Sequence, residues 1–110
     1  MKYLITESQL DRVIFRYLDS QNFIQIERSN NIFFVNSEGD EYAQIRYDEV
    51  NGWCYISKKL VNEISSFFSL KLYDSEEVIG RWVENTLQMT VTYTLENALT
   101  RTYELRIPSK

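Results

Sequence analysis

Phe23-Ile24-Gln25-Ile26-Glu27-Arg28-Ser29-Asn30-Asn31-Ile32-Phe33-Phe34-Val35-Asn36 opens the stretch that decides the fold. Ile24 and Ile26 alternate with polar neighbours, as one face of a strand does. Ser29-Asn30-Asn31 is a turn signal. The apolar, β-branched and aromatic run 32–36 is a second strand. Ser37-Glu38-Gly39-Asp40 turns the chain again. The segment 41–47 alternates, with Ala43, Ile45 and Tyr47 on one face. Asn51-Gly52 is a hairpin-type turn, and 53–56 is a fourth strand. Connections this short favour an antiparallel meander.

Helical periodicity lies on both sides of these strands. Upstream, Leu10, Val13, Ile14, Tyr17 and Leu18 share one face of a helix over 7–19. Asp11, Arg12, Arg16 and Asp19 occupy the opposite face. Thr6 and Gln9 fit a capping box, and Ile5 and Leu10 a hydrophobic staple. Downstream, Ser57 is a fitting N-cap for a helix over 58–70. Its expected apolar stripe is Leu60, Val61, Ile64, Phe67 and Phe68. A third helix is expected after Asp74, with Glu77 closing a capping box. Val78, Ile79, Trp82, Val83 and Leu87 face inward, and Gly80 suggests close packing against a neighbour.

Two further strands are expected at the end of the chain. In 89–95, Met89, Val91, Tyr93 and Leu95 alternate with Thr90, Thr92 and Thr94. In 102–107, Tyr103, Leu105 and Ile107 alternate with Thr102, Glu104 and Arg106. Glu96-Asn97-Ala98 lies between them and reads as a hairpin connection. The expected fold is α+β in the order α-ββββ-αα-ββ. It is an antiparallel sheet of about six strands with three helices packed on one face. Its 110 residues fit one domain, 1–110.

Composition narrows the chemistry. The chain has no His, which excludes Ser-His-Asp and Cys-His catalysis within it. Cys54 is the one cysteine, too few for an internal disulfide or a cysteine-based zinc site. Placed in a strand between Trp53 and Tyr55, it reads as a small buried hydrophobe. The three glycines are isolated, so no phosphate-cradling loop is written. No cofactor, metal or catalytic residue is assigned, and the chain is read as a non-enzyme. Paired-carboxylate chemistry stays open, because the separation of carboxylates in space is not legible from sequence.

A net charge of −4 argues against a generic nucleic-acid or anionic-membrane partner. Another protein is the expected partner, with a homo-oligomer left open. The opening residues turn polar too early for a signal peptide, and no stretch approaches the length of a membrane span. The expected location is the cytoplasm.

Three groups are candidate partner contacts. Lys58 and Lys59 carry positive charge at a helix start, where it opposes the helix dipole. Thr90, Thr92 and Thr94 form a polar strand face suited to solvent or to an added strand. Glu38, Asp40 and Glu41 surround one turn, and Asp48 and Glu49 precede another.

Met1-Lys2-Tyr3-Leu4-Ile5-Thr6-Glu7-Ser8-Gln9 resembles the opening of many small proteins of large tailed bacteriophages, marine T4-like ones among them. The runs Ile64-Ser65-Ser66-Phe67-Phe68-Ser69-Leu70 and Glu77-Val78-Ile79-Gly80-Arg81-Trp82-Val83-Glu84-Asn85-Thr86-Leu87 resemble segments of uncharacterised phage proteins. The resemblance implies a phage origin and expression in a bacterial cytoplasm, and it carries no catalytic residue. The expected function is a non-catalytic protein–protein interaction domain, a phage accessory factor binding a host or phage protein. The alternatives are a virion or self-assembling structural component and an acidic mimic of nucleic acid.

Overall fold

The computed structural model describes residues 7–97 and 105–108. The expected N-cap at Thr6, the staple residue Ile5 and the strand positions 102–104 lie outside the described residues.

The described elements are α1 (Glu7–Ser20), β1 (Ile24–Arg28), β2 (Asn31–Val35), β3 (Ile45–Asp48), β4 (Trp53–Ser57), α2 (Lys58–Phe68), α3 (Leu72–Leu87) and β5 (Tyr93–Asn97). Strands β1 to β4 form an antiparallel meander, as their short turns require. The fifth strand joins β4 in parallel, giving the order β1-β2-β3-β4-β5. The expected six-stranded antiparallel sheet is therefore corrected to five described strands, the last one parallel. The cause is the α2–α3 pair between β4 and β5. A crossover of that length lets the chain return in the same direction, which a hairpin cannot do. Among the described residues, the other arm of the expected hairpin contributes an antiparallel bridge, Arg106 to Tyr42. There Ala43 N donates to the Leu105 carbonyl at 2.8 Å, and Ile107 N to the Glu41 carbonyl at 3.0 Å.

All three helices contribute to one core on one side of the sheet. Ile14 and Leu18 of α1 meet Ile32, Phe34, Ile45, Tyr47, Cys54 and Ile56 of the sheet, with Leu60, Val61 and Ile64 of α2. Val78, Ile79, Trp82 and Val83 of α3 complete it. Cys54 is fully buried, and burial pushes its thiol pKa up, so it packs as a small hydrophobe.

The opposite side of the sheet is not bare. Phe33, Val35 and Ala43 form a second buried cluster, with Ile24, Ile26 and Ile107 packed on it. Ile24 and Ile26 thus share a face as expected, but it is the face away from the helices. Ala43 belongs to this cluster, not to the face of Ile45 and Tyr47. Strand β3 begins only at Ile45. Gln44 N donates to the carbonyl of Phe34, the residue that pairs with Ile45, and alternation is broken there.

Helix α2 starts on Ser57, whose hydroxyl accepts from Leu60 N at 3.1 Å. It stops at Phe68, two residues short of expectation. Ser69 adopts φ 55°, and Ser69 N and Leu70 N both turn back to the Ser65 carbonyl. Helix α3 begins at Leu72, before Asp74. Its N-cap is Lys71, without a side-chain cap bond, so Asp74 sits inside the first turn and the expected Asp74–Glu77 box is not the helix start.

Thr94 corrects another expectation. A Cβ built on Gly80 would overlap the Thr94 Cγ2 atom. Thr94 therefore packs its methyl on α3, and Gly80 is what lets strand and helix approach. Gly80→Ala should lower stability by about 1–2 kcal/mol, because overpacking outweighs the gain in helix propensity. Adding Thr94→Ser removes that methyl and should recover the loss. Urea unfolding of both variants is the check, and a Gly80→Ala variant at least as stable as wild type would contradict the contact.

Candidate interaction surface

The apolar stripes of α1 and α2 are each wider than the core can cover. At 3.6 residues per turn, Val13 lies at one edge of its stripe, about 70° from the middle, and Phe67 at one edge of its own, about 60° from the middle. Val13 is 51% exposed and Phe67 is 70% exposed. Both were expected to face inward. Instead they sit on helix flanks that the sheet does not reach.

Tyr17 connects the two flanks. Its ring lies 5.1 Å from that of Phe67 and 5.6 Å from that of Phe68, the second pair nearly perpendicular. Phe67 and Phe68 are themselves 5.3 Å apart. Such tilted and edge-on pairs favour aromatic quadrupoles and hold each ring in place. A shallow groove of about 590 Å³ runs beside them, lined by Tyr17, Lys59, Asn62, Glu63, Ser66 and Phe67. Lys59, Glu63 and Phe67 succeed one another at four-residue spacing, so cation, carboxylate and ring line one side of α2.

The scaffold beneath is firmly tied. Asp11 of α1 receives two bonds from the Arg81 guanidinium of α3, at 2.7 and 2.9 Å. Such a bidentate pair fixes orientation as well as distance. Asp19 accepts from the Trp82 indole at 2.9 Å. The supposed outer face of α1 therefore splits: Asp11 and Asp19 engage α3, while Arg12 and Arg16 are exposed.

Of the expected contact residues, only Lys59 joins this groove. Lys58 is exposed next to it in the first turn of α2. The acidic turn lies elsewhere and serves its own backbone. Asp40 accepts from Asn36 N, Ser37 N and the Ser37 hydroxyl, and these bonds from Ser37 and Asn36 hold its carboxyl below the usual carboxylate range. Glu41 forms an exposed ion pair with Arg106 at 3.2 Å, and Glu38 is exposed. Asp48 accepts from Val50 N in the next turn.

The threonines are not one solvated ladder. Thr90 gives its carbonyl to the Tyr47 hydroxyl at 2.7 Å. Burial, and then the neighbouring Glu49, raise the Tyr47 pKa above that of a free phenol. Thr92 donates from its hydroxyl to the Asn51 carbonyl and from its N–H to the Gly52 carbonyl. Both bonds dock the chain before β5 onto the β3–β4 turn.

A second exposed aromatic site lies on the sheet. Trp53 is 40% exposed, with the ring of Tyr55 6.4 Å away. Arg46 sits 4.8 Å from the centre of the Tyr55 ring and donates to Asn31 at 2.9 Å. Its charge is met within the protein by Asp48 at 3.9 Å. Among the described residues, no cluster of three or more Cys, Asp or Glu is placed to hold a metal ion. No described helix is long and apolar enough to cross a membrane.

No protein-family model matches the sequence, and no curated protein or solved structure is significantly similar to it.

Proposed function

We propose that this chain is a non-catalytic protein–protein interaction domain that binds through the α1–α2 surface around Phe67. The observation that carries this reading is the state of the Phe67 ring. It is held against Tyr17 at 5.1 Å and yet is 70% exposed. A large apolar ring ordered before binding loses little freedom when covered, and such rings are the usual anchors of an interface. Val13 and Tyr17 extend the apolar area, and Lys59 and Glu63 supply a polar rim.

The likeness of 1–9, 64–70 and 77–87 to tailed-phage proteins supports a phage origin. It supports, too, a host or phage protein met in the bacterial cytoplasm as the partner class.

Phe67→Lys tests the surface without breaking the fold. A cation near the end of α2 suits the helix dipole, and the exposed ring contributes about 1 kcal/mol or less to stability. The expected result is a partner retained by the wild-type protein and lost by the variant, with near-unchanged unfolding. Equal retention by both proteins would refute the assignment of the surface.

A further inference from the structure

We infer that Asn51 is a site of spontaneous covalent modification, deamidation through a cyclic imide, and that the segment 90–92 docked on its turn holds the reaction off. Asn51-Gly52 is the one Asn-Gly pair in the chain. Glycine has no side chain to hinder approach to its own nitrogen, so that nitrogen can reach the side-chain carbonyl carbon of the residue before it. In the reaction, base removes the proton from Gly52 N, and the nitrogen forms a bond to Asn51 Cγ. The Cγ–Nδ2 bond breaks and ammonia leaves, taking up a proton in place of the one removed. Water then opens the imide at either carbonyl. One product carries an ordinary aspartate at 51. In the other, isoaspartate, the main chain runs through Cβ and Cγ and is one atom longer.

The folded turn opposes each part of this step. Gly52 is buried, although Asn51 beside it is exposed. Gly52 N donates to the Asp48 carbonyl at 2.8 Å, so its proton is shielded from base in solution. Asn51 Oδ1 accepts from Trp53 N at 2.8 Å, which fixes the side chain that would be attacked. Thr92 then secures both main-chain carbonyls of the pair. Its hydroxyl donates to that of Asn51 at 2.7 Å, and its N–H to that of Gly52 at 2.8 Å. The reaction therefore requires the turn to open, and opening requires residues 90–92 to lift from it. Either product adds a carboxylate beside Asp48 and Glu49, and isoaspartate also shifts Gly52 beneath Thr92. Modification thus loosens the docking of the segment that leads into β5.

The test is incubation of the intact chain at mildly alkaline pH, folded and in guanidinium chloride, followed by digestion and mass analysis of the peptide that holds residue 51. Wild type, Thr92→Ala and Ser57→Ala are compared. Thr92→Ala removes the hydroxyl bond to Asn51, and Thr92 is exposed, so the fold is kept. Ser57→Ala removes the α2 cap at the far end of β4, a loss of similar size away from the turn. The expected result is rapid loss of Asn51 in the unfolded chain and a loss at least about tenfold slower in folded wild type. Folded Thr92→Ala should react roughly fivefold faster than folded wild type, the change in open population for one lost hydrogen bond. Ser57→Ala should keep the wild-type rate. The isoaspartate form, once separated, should unfold at a lower denaturant concentration than the starting protein. An unfolded chain that does not react at 51 would overturn the site. Folded wild type reacting as fast as the unfolded chain, Thr92→Ala no faster than wild type, or Ser57→Ala accelerated as much as Thr92→Ala would overturn the protection by residues 90–92.

Discussion

Trp82→Ala should remove about 3–5 kcal/mol of stability, the largest loss expected from any single change in this domain. The indole is nearly fully buried at the junction of α3, α1 and the sheet. Its ring centre stands 5.9 Å from that of Phe23 and 5.4 Å from that of Phe34. Its N–H donates to Asp19 at 2.9 Å, tying α3 to the end of α1. Truncation opens a cavity among rings that cannot collapse together, and it leaves Asp19 without that donor. Small domains hold roughly 5–15 kcal/mol in all, so the variant should be partly unfolded under mild denaturant. Trp82→Phe keeps a ring and loses only the indole N–H. Because Asp19 reaches solvent, that change should cost about 1–2 kcal/mol. Urea midpoints of the two variants measure the difference. A Trp82→Ala midpoint close to wild type would mean that this aromatic junction is not the centre of the fold.

Gly52→Ala should cost about 2–3 kcal/mol, and the loss has two separable sources. Gly52 adopts φ +75°, where an L side chain is strained. Its missing Cβ would also stand 3.0 Å from the Thr92 hydroxyl oxygen and 3.1 Å from the Thr90 carbonyl oxygen. Neither atom can retreat freely. The Thr90 carbonyl is held by the Tyr47 hydroxyl, and the Thr92 hydroxyl by the Asn51 carbonyl. Gly52 N also donates to the Asp48 carbonyl at 2.8 Å, and Trp53 N to the Asn51 side chain. The turn is therefore fixed from inside and clamped from outside. Thr92→Ala in the same chain should return part of the crowding loss and none of the backbone strain. If thermal unfolding showed Gly52→Ala to be neutral, the docking of residues 90–92 on this turn would be wrong.

Local signals in the sequence were informative where the physics is local. Asn51-Gly52 marked a turn because glycine tolerates the positive φ that Gly52 adopts, and the Asn51 side chain accepts from Trp53 N. Ser57 marked a helix start because its hydroxyl can reach Leu60 N, and it does. The stripes of α1, α2 and α3 located the core, since Ile14, Leu18, Leu60, Val61, Ile64, Val78, Ile79, Trp82 and Val83 are all buried.

What periodicity cannot supply is the width of the covering surface. Val13 and Phe67 stand at the edges of their stripes, no farther from the middle than the buried Leu18 and Val61 at the opposite edges. Only the extent of the sheet decides that the first two remain outside. The candidate surface was hidden for that reason, although the width of the two stripes was a usable hint. Lys59 was noticed for its charge against the helix dipole, but its neighbours in space were not.

The direction of β5 was hidden by a different cause. A strand reads the same whether its neighbour is parallel or antiparallel, and the neighbour here lies across two helices in sequence. Thr94 illustrates the consequence. Its polar alternation suggested solvent, while a glycine fourteen residues earlier had left room for its methyl. Gly80 carried the clue to close packing without naming the strand that approaches it.

A photo-crosslinking residue placed at position 67, compared with one at Glu27, tests the central claim most directly. Glu27 is exposed on β1, away from the α1–α2 groove. The surface assignment predicts strong crosslinked products at 67 in the producing cell and little at 27. A product of twice the chain's mass would identify a second copy, and any other mass a different protein. Products that form equally at both positions, or at 27 alone, would contradict the assignment of Phe67 and its neighbours as the binding surface.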